Sequence, residues 1–403
     1  MFRHSCGLRR NLLPRIGEDG RGFDQGRVET RILHPLVTVL MFSILQTCVP
    51  PYRVPLFDAL AAELGEEFGV VAGGRFFDPS IRTEVSGRTW LRPCRNHFLA
   101  GNQLLWQSGA AVRSLVSGPF VVEANPRCLR TWWLLASARL RGQRTAVWGH
   151  SLGRGAGKEA MGASRRAMFS LADTIVCYGY AERKGLQRVF PRKTVLVAGN
   201  STVRRGECSP LDAAPAGRHN VLFIGRMVEA KKPLLLLEAL RKVQHQAPEI
   251  SAVFIGGGPE LPAAQAYCSQ HKISGVTFAG AQFDRGEVRG MAASCFAMAS
   301  PGYVGLSVLD AQSMGLPCIF SEDEPNSPEV EVLQRELNAV VFDGDSPASL
   351  AESILRLHRE RNDWLGRGSD FCEKVQKNYS IERMTGQFTT FFRGFPHQEA
   401  SPC

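Results

Sequence analysis

Two cations, Arg226 and Lys231, stand five residues apart directly behind Gly225, which closes an apolar run over residues 220–224. The run reads as a strand, and Pro233 opens a pattern of helical spacing. Both cations therefore lie on the loop where a strand gives way to a helix. In an open α/β sheet, ligands bind beyond the carboxyl ends of the strands. A planar guanidinium beside an ammonium suits the oxygens of a diphosphate there. Taken alone, the same two residues read equally well as solvated surface cations.

Two glycine-bearing turns follow in the same half. Gly256, Gly257, Gly258 and Pro259 come after an apolar run at 252–255. Glycines at such a point let backbone amides approach a phosphate or a sugar. Their spacing is not that of a dinucleotide fingerprint, which disfavours a Rossmann dehydrogenase. Further on, Ser300, Pro301, Gly302, Tyr303, Val304 and Gly305 lead from a strand into a helix starting near Leu306 and Ser307. The free N–H groups of a helix start form an anion pocket. Asp310 lies about one turn in, within reach of a ribose hydroxyl, although the helix dipole alone also favours an acid there. In the other half, His150 follows a strand-like run ending at Trp148, with Gly149 between them.

The elements that must hold these residues recur along the chain. From Met41, strand-like runs at 42–45, 69–72, 120–123, 145–148, 174–177 and 194–197 alternate with helical spacing at 56–64, 132–141 and 164–171. The pattern restarts with strands at 220–225, 252–256, 276–279, 295–299 and 317–320. Helices fall between them at 233–243, 263–271, 287–293 and 307–314, and a last one at 381–392. Short buried strands alternating with helices predict an α/β fold with parallel sheets covered on both faces. Two successive doubly wound domains are expected, over 41–205 and 206–378, with residues 379–403 as a final helix and tail. The polar, glycine-bearing stretch at 203–219 marks the boundary.

Composition narrows the classes. With 44% hydrophobic and 21% charged residues in 403, the chain has a globular balance and length for two cores. The longest apolar stretch, near 35–45, is too short to span a bilayer. It also meets Pro50 and Pro51 without a small-residue cleavage site, which argues against a signal peptide. Residues 1–40 are rich in Arg and Gly and are expected to be a disordered extension, or to lie upstream of a start at Met41. The eleven cysteines include no Cys-x-x-Cys pair, so reduced, mostly buried thiols in a cytoplasmic protein are expected. Charge is uneven: residues 1–205 hold 30 Lys/Arg against 14 Asp/Glu, and the remainder 18 against 24. A basic first half points to an anionic partner. No nucleic-acid motif accompanies it, which leaves the surface of an anionic membrane, a pyrophosphate-bearing acceptor, or a basic face that is simply solvated.

Taken in order, the three segments of the second half resemble family 4 glycosyltransferases of the GT-B fold, in which two Rossmann-like domains face each other across a cleft. That family carries Gly-Arg with Lys about five residues on, then Gly-x-Gly-Pro, then Glu-x7-Glu ending in Gly-x-Pro. The match is good over about 220–345. It extends weakly over 41–205 through residues 49–57, Trp148 to His150, and 200–203. The resemblance implies that Arg226 and Lys231 hold the donor diphosphate, with Lys232 as a one-residue alternative. Gly257, Gly258, Pro301, Gly302, Tyr303, Gly305, Leu306 and Ser307 would line the donor, and Asp310 would bind the ribose. His150 would face the donor sugar, and Tyr52 and Arg53 would lie on the acceptor side, with Arg139 to Arg144 adding to an acceptor-binding surface. Two departures stand out: Gly302 replaces the first Glu of the motif and Asp310 shortens the second. Asn338-Ala339 also replaces the usual Asn-Gly turn near Ser327, Pro328 and Glu329.

The expected activity is sugar transfer from a nucleotide-sugar donor to a saccharide or lipid-pyrophosphate-linked acceptor, retaining and metal-independent, in surface-polysaccharide assembly. No cofactor or metal is expected, because no acidic cluster for a divalent ion accompanies the cations. The protein is expected in the cytoplasm, peripheral at the inner face of the membrane. Two alternatives stand beside this reading. A nucleotide-sugar epimerase of the same architecture needs a pair of acid–base carboxylates, and no convincing pair is found. A catalytically silent binding homologue is suggested by Gly302.

Overall fold

The computed structural model describes residues 41–79, 81–85, 87–151, 161–212 and 217–394. The expected N-terminal extension, residues 1–40, lies outside them. The first lobe is built on seven strands: β1 (Phe42–Gln46), β2 (Phe68–Ala72), β3 (Leu91–Pro93), β6 (Phe120–Glu123), β7 (Thr145–Trp148), β8 (Thr174–Cys177) and β9 (Thr194–Val197). Between β3 and β6 the chain inserts an antiparallel hairpin, β4 (Arg95–Leu99) with β5 (Leu104–Ser108). The seven strands run parallel in the order β3-β2-β1-β6-β7-β8-β9. The second lobe holds β10 (Asn220–Ile224), β11 (Ser251–Ile255), β12 (Thr277–Phe278), β13 (Cys295–Ser300), β14 (Cys318–Phe320) and β15 (Ala339–Val341). These are also parallel, in the order β12-β11-β10-β13-β14-β15.

Both orders are doubly wound, so each sheet has a point where connections turn to opposite sides: β1/β6 in the first and β10/β13 in the second. A crevice opens there at the carboxyl ends of the strands. The strands are buried on both faces, as parallel sheets under helices require. That explains why they read in sequence as unbroken apolar runs. The first sheet separates two clusters, one centred on Leu45, Phe120 and Phe169, the other on Ile44, Phe57 and Trp148.

The chain crosses between lobes twice, side by side: the Ile381 N–H donates to the Val203 carbonyl at 2.8 Å. Val203, Cys208 and Leu211 already pack into the second lobe's core, so the polar linker is pinned there over its first half. After the second crossing, Ser380 caps the helix Ile381–Arg393 by accepting from the Arg383 N–H at 3.2 Å. Met384, Phe388, Phe391 and Phe392 of this helix are buried in the first lobe. The nine described cysteines are free thiols, all buried except the partly covered Cys94. Among the described residues, no helix is long and apolar enough to cross a membrane.

Sequence spacing missed the short edge strands β3 and β15, the hairpin, and the helices Tyr180–Val189, Pro347–Arg359, Arg361–Gly366 and Gly368–Asn378. Phe388 is fully buried, with its ring centroid 4.8 Å from that of Trp148 in edge contact. Phe388→Ala is expected to cost about 3–5 kcal/mol of stability, read as a lowered denaturation midpoint. An unchanged midpoint would refute the docking of this helix on the first lobe.

Candidate functional site

The switch-point crevice of the second lobe is built from two backbones in close contact. After β10 the chain passes Gly225 and exposed Arg226, then forms a short 3-10 turn, Glu229–Lys231. After β13 it passes Pro301 and Gly302 to Tyr303, whose N–H donates to the Ala230 carbonyl at 2.8 Å. A Cβ on Gly302 would lie 2.3 Å from that carbonyl oxygen and 2.8 Å from the Lys231 carbonyl carbon. Position 302 therefore has no room for a side chain. The departure noted in the sequence is a steric requirement of this packing.

Lys231 is tethered by the same contact. Its Nζ donates to the Tyr303 carbonyl at 2.6 Å and lies 5.0 Å from the centre of the Tyr303 ring. Burial pushes its ammonium down to about 8; the Glu329 carboxylate opposes this and Arg226 adds to it. Arg226 is thus close enough for its charge to be felt at Lys231, and it makes no hydrogen bond with the other described residues. Lys232 is engaged elsewhere. It sits in the left-handed region at φ 49°, and its ammonium is ion-paired with Glu324 and with Asp345, the latter at 2.6 Å. It holds the loops after β14 and β15, so Lys231 is the cation of the crevice.

The glycine turn after β11 serves the same loop. A Cβ on Gly256 would lie 1.9 Å from the Gly225 carbonyl oxygen, and one on Gly258 would lie 2.4 Å from that of Met227. The Met227 N–H donates to the Gly257 carbonyl at 2.8 Å. Gly256 and Gly258 are needed to brace the segment carrying Arg226, a protein–protein reason for these glycines beside the expected approach to a ligand. Gly257 has open space on its Cβ side.

The helix Ser307–Ser313 begins at the end of the Tyr303 loop. Among the described residues, no acceptor meets the N–H groups of Gly305, Leu306 and Ser307. These amides supply hydrogen-bond donors beside Lys231, whose Nζ would be 3.1 Å from a Cβ on Gly305. Asp310 Oδ1 accepts from Arg285 Nη1 at 2.8 Å and from the Thr202 hydroxyl at 3.4 Å. Arg285 is held in turn by Glu207 at 3.0 Å and by the Ser313 hydroxyl at 3.2 Å. Burial holds the Asp310 carboxyl above its usual range, against the pull of Arg285. Its Oδ2 carries no hydrogen bond from the described residues.

The first lobe presents the opposite wall. His150 follows β7, exposed, with its ring centroid 4.7 Å from that of Tyr178. The Glu182 carboxylate receives the N–H groups of Ser151 and, at 3.1 Å, Tyr178, which fixes this loop. Arg53, expected on the acceptor side, follows β1 and is buried. It is 7% exposed, lies 4.4 Å from the Trp148 ring centre and donates through Nη2 to the Tyr178 hydroxyl at 2.8 Å. Its neighbour Tyr52 is exposed. Arg139 to Arg144 precede β7 and so lie at the opposite edge of the sheet from His150, away from the cleft.

Sequence reasoning gave Glu329 and Glu331 no role. Both belong to the 3-10 turn Pro328–Val332 that follows β14. Glu331 reaches across to the first lobe, accepting the N–H groups of Tyr180 at 2.7 Å and Ala181 at 3.0 Å. Glu329 is buried, and its charge acts on Lys231 in one lobe and on Arg53 and Tyr178 in the other. The signal was present as acids following Pro328, but only the facing of the lobes gives them partners. Among the described residues, His219, Glu249 and His358 are close enough to share a metal ion, with ligand atoms within 4.8 Å of one another. His219 precedes β10 and Glu249 precedes β11, so this group lies at the sheet edge opposite the crevice.

Two doubly wound lobes facing across a cleft, with the cation-lined crevice in the second, define the GT-B architecture of glycosyltransferases. Residues 218–360 match the family model described as "Glycosyl transferases group 1". The second lobe is a group 1 glycosyltransferase domain, and the chain is a glycosyltransferase. In structure the chain is similar to HepE of Anabaena in complex with UDP, at 12% identity and TM-score 0.63, over 87% of this chain and 98% of that one. It is also similar to the sucrose-phosphate synthase of Thermosynechococcus elongatus, at 18% identity and TM-score 0.60, over 87% and 98%. TarM of S. aureus, in a complex that includes UDP, aligns at 15% identity and TM-score 0.54 over 74% of this chain and 62% of that one. At these identities the likeness establishes the fold. No curated protein matches the chain in sequence.

Two outcomes follow from the crevice. Gly302→Ala is expected to destabilise the protein by about 1–3 kcal/mol, seen as a lower melting temperature. The Lys231 ammonium, the form that attracts a diphosphate, is lost as pH rises through about 8. Calorimetric affinity for a nucleoside diphosphate should therefore fall about tenfold per pH unit above that point. Lys231→Met should flatten the dependence, and a wild-type profile level to pH 10 would contradict the assignment.

Proposed function

We propose that this protein transfers a hexose from a nucleotide sugar, with a UDP-sugar the first candidate, to a saccharide or lipid-pyrophosphate-linked acceptor during surface-polysaccharide assembly. One observation carries the reading: a half-buried ammonium, Lys231, is fixed beside Arg226 and unpartnered amides at the switch point of the second sheet. UDP as carrier is supported by the complexes of HepE with UDP-glucose and of TarM with UDP.

In transfer, the bond from the anomeric carbon to the diphosphate breaks, and negative charge grows on the departing oxygen. Arg226, Lys231 and the amides of Gly305, Leu306 and Ser307 stabilise that charge more in the transition state than in the bound donor. Their role is that of a metal ion elsewhere, so we assign the reaction no metal requirement. Asp310, oriented by Arg285, binds the ribose. The acceptor hydroxyl attacks the anomeric carbon from the face the diphosphate leaves and gives its proton to the departing phosphate oxygen, so configuration is retained. His150 and Tyr52, on the first lobe, face the sugar and the acceptor. Closure of the lobes excludes water and limits hydrolysis. The excess of Lys/Arg in residues 1–205 supports a peripheral position at the cytoplasmic face of an anionic membrane.

The test is turnover of a panel of UDP-, GDP-, dTDP- and CMP-sugars in excess EDTA, with the product anomer assigned by proton NMR. Turnover should persist in EDTA with the donor's anomeric configuration kept. Arg226→Ala and Lys231→Ala should each weaken UDP binding at least tenfold and uridine binding little. Equal weakening of both ligands would refute the diphosphate contacts, and an intact donor panel would leave only a binding protein.

A further inference from the structure

Glu329 is 4% exposed, yet among the described residues no hydrogen-bond donor reaches its carboxylate. Its charge acts on Lys231 and on Arg53, but it lies within ion-pair distance of neither. A buried carboxylate flanked by two cations and joined to none of its neighbours leaves acceptor capacity for a ligand. Arg53 shows the matching deficit across the cleft: its Nη1 is buried and has no partner among the described residues.

The location says what that ligand is. The loop carrying Glu329 is tied to the Tyr303 loop: the Val304 N–H donates to Asn326 Oδ1 at 2.8 Å, and the Ser327 N–H to the Val304 carbonyl at 3.1 Å. A diphosphate held by Lys231 and the amides of Gly305 to Ser307 therefore lies beside Glu329. The group attached to that diphosphate must extend toward the first lobe to meet an acceptor. Gly302, on the Tyr303 loop, has no room for a side chain to meet it.

We propose that Glu329 is the residue that reads the donor sugar, its carboxylate accepting hydrogen bonds from the sugar's hydroxyls, with Arg53 as a positioning residue from the opposite lobe. The inference rests on the transferase reading above. An acceptor-only group selects a neutral sugar with free hydroxyls and repels a uronic acid, whose own carboxylate would lie against it.

For whichever donor of the panel the full-length protein consumes, KM and kcat are measured for wild type, Glu329→Gln and Glu329→Ala, alongside the Kd for the free nucleoside diphosphate. Glu329→Ala is expected to raise the donor KM at least tenfold, and Glu329→Gln less. The diphosphate Kd should stay within about threefold and the melting temperature within a few degrees. A donor KM that does not move overturns the proposal. So does a diphosphate Kd that weakens in step with KM, because Glu329 would then act only through Lys231. The isosteric Gln variant supplies the comparison if Ala fails to fold. Wild type should prefer UDP-glucose to UDP-glucuronate, and equal use of the two also overturns the proposal. Consumption of no sugar nucleotide by wild type removes the transferase reading, and this inference with it.

Discussion

The second lobe depends on how closely two loops approach. The turn Glu229–Lys231 and the loop Gly302–Tyr303 meet backbone to backbone at the β10/β13 switch point, and the Tyr303 N–H and carbonyl bond to Ala230 and to Lys231 Nζ respectively. Three consequences follow from one contact. The ammonium is drawn out of water, so it is half-neutral near pH 8 and its charge acts in a poorly screened site. A side chain at position 302 would collide with the Ala230 and Lys231 backbone. The next residues, Gly305 to Ser307, are turned with their amides free of protein acceptors.

The first lobe shows a comparable chain of support. Phe388, on the helix that returns from the second lobe, packs on the Trp148 ring, and the guanidinium of Arg53 lies 4.4 Å from that ring's centre. A cation over an aromatic face is worth about 2 kcal/mol when desolvated, which helps to offset burying Arg53. The helix Ile381–Arg393 thus supports the cleft's opposite wall from behind.

Between the walls, Glu331 caps the start of the helix Tyr180–Val189 from the other lobe. A carboxylate at a helix N-terminus contributes roughly 0.3–2 kcal/mol. The residues assigned to the diphosphate, the contact between the lobes and the sugar all come from loops after parallel strands, where adjacent strands bring distant segments to one edge.

Periodicity in the sequence determined both doubly wound units, nearly all the central strands and the place of Arg226, Lys231, His150 and Asp310 at carboxyl ends, because buried parallel strands are written as local apolar runs. Short edge strands and the helices of the C-terminal region escaped it, since two or three residues carry no period and partly exposed helices blur theirs. Only the tertiary structure decided that Lys231 and not Lys232 serves the crevice, that Arg53 is buried, and that Arg139 to Arg144 lie behind the sheet. It alone brought the Glu329 charge close enough to act on both Lys231 and Arg53. Side-chain burial and ion pairing depend on what other segments place nearby, and the local pattern of residues does not contain that information.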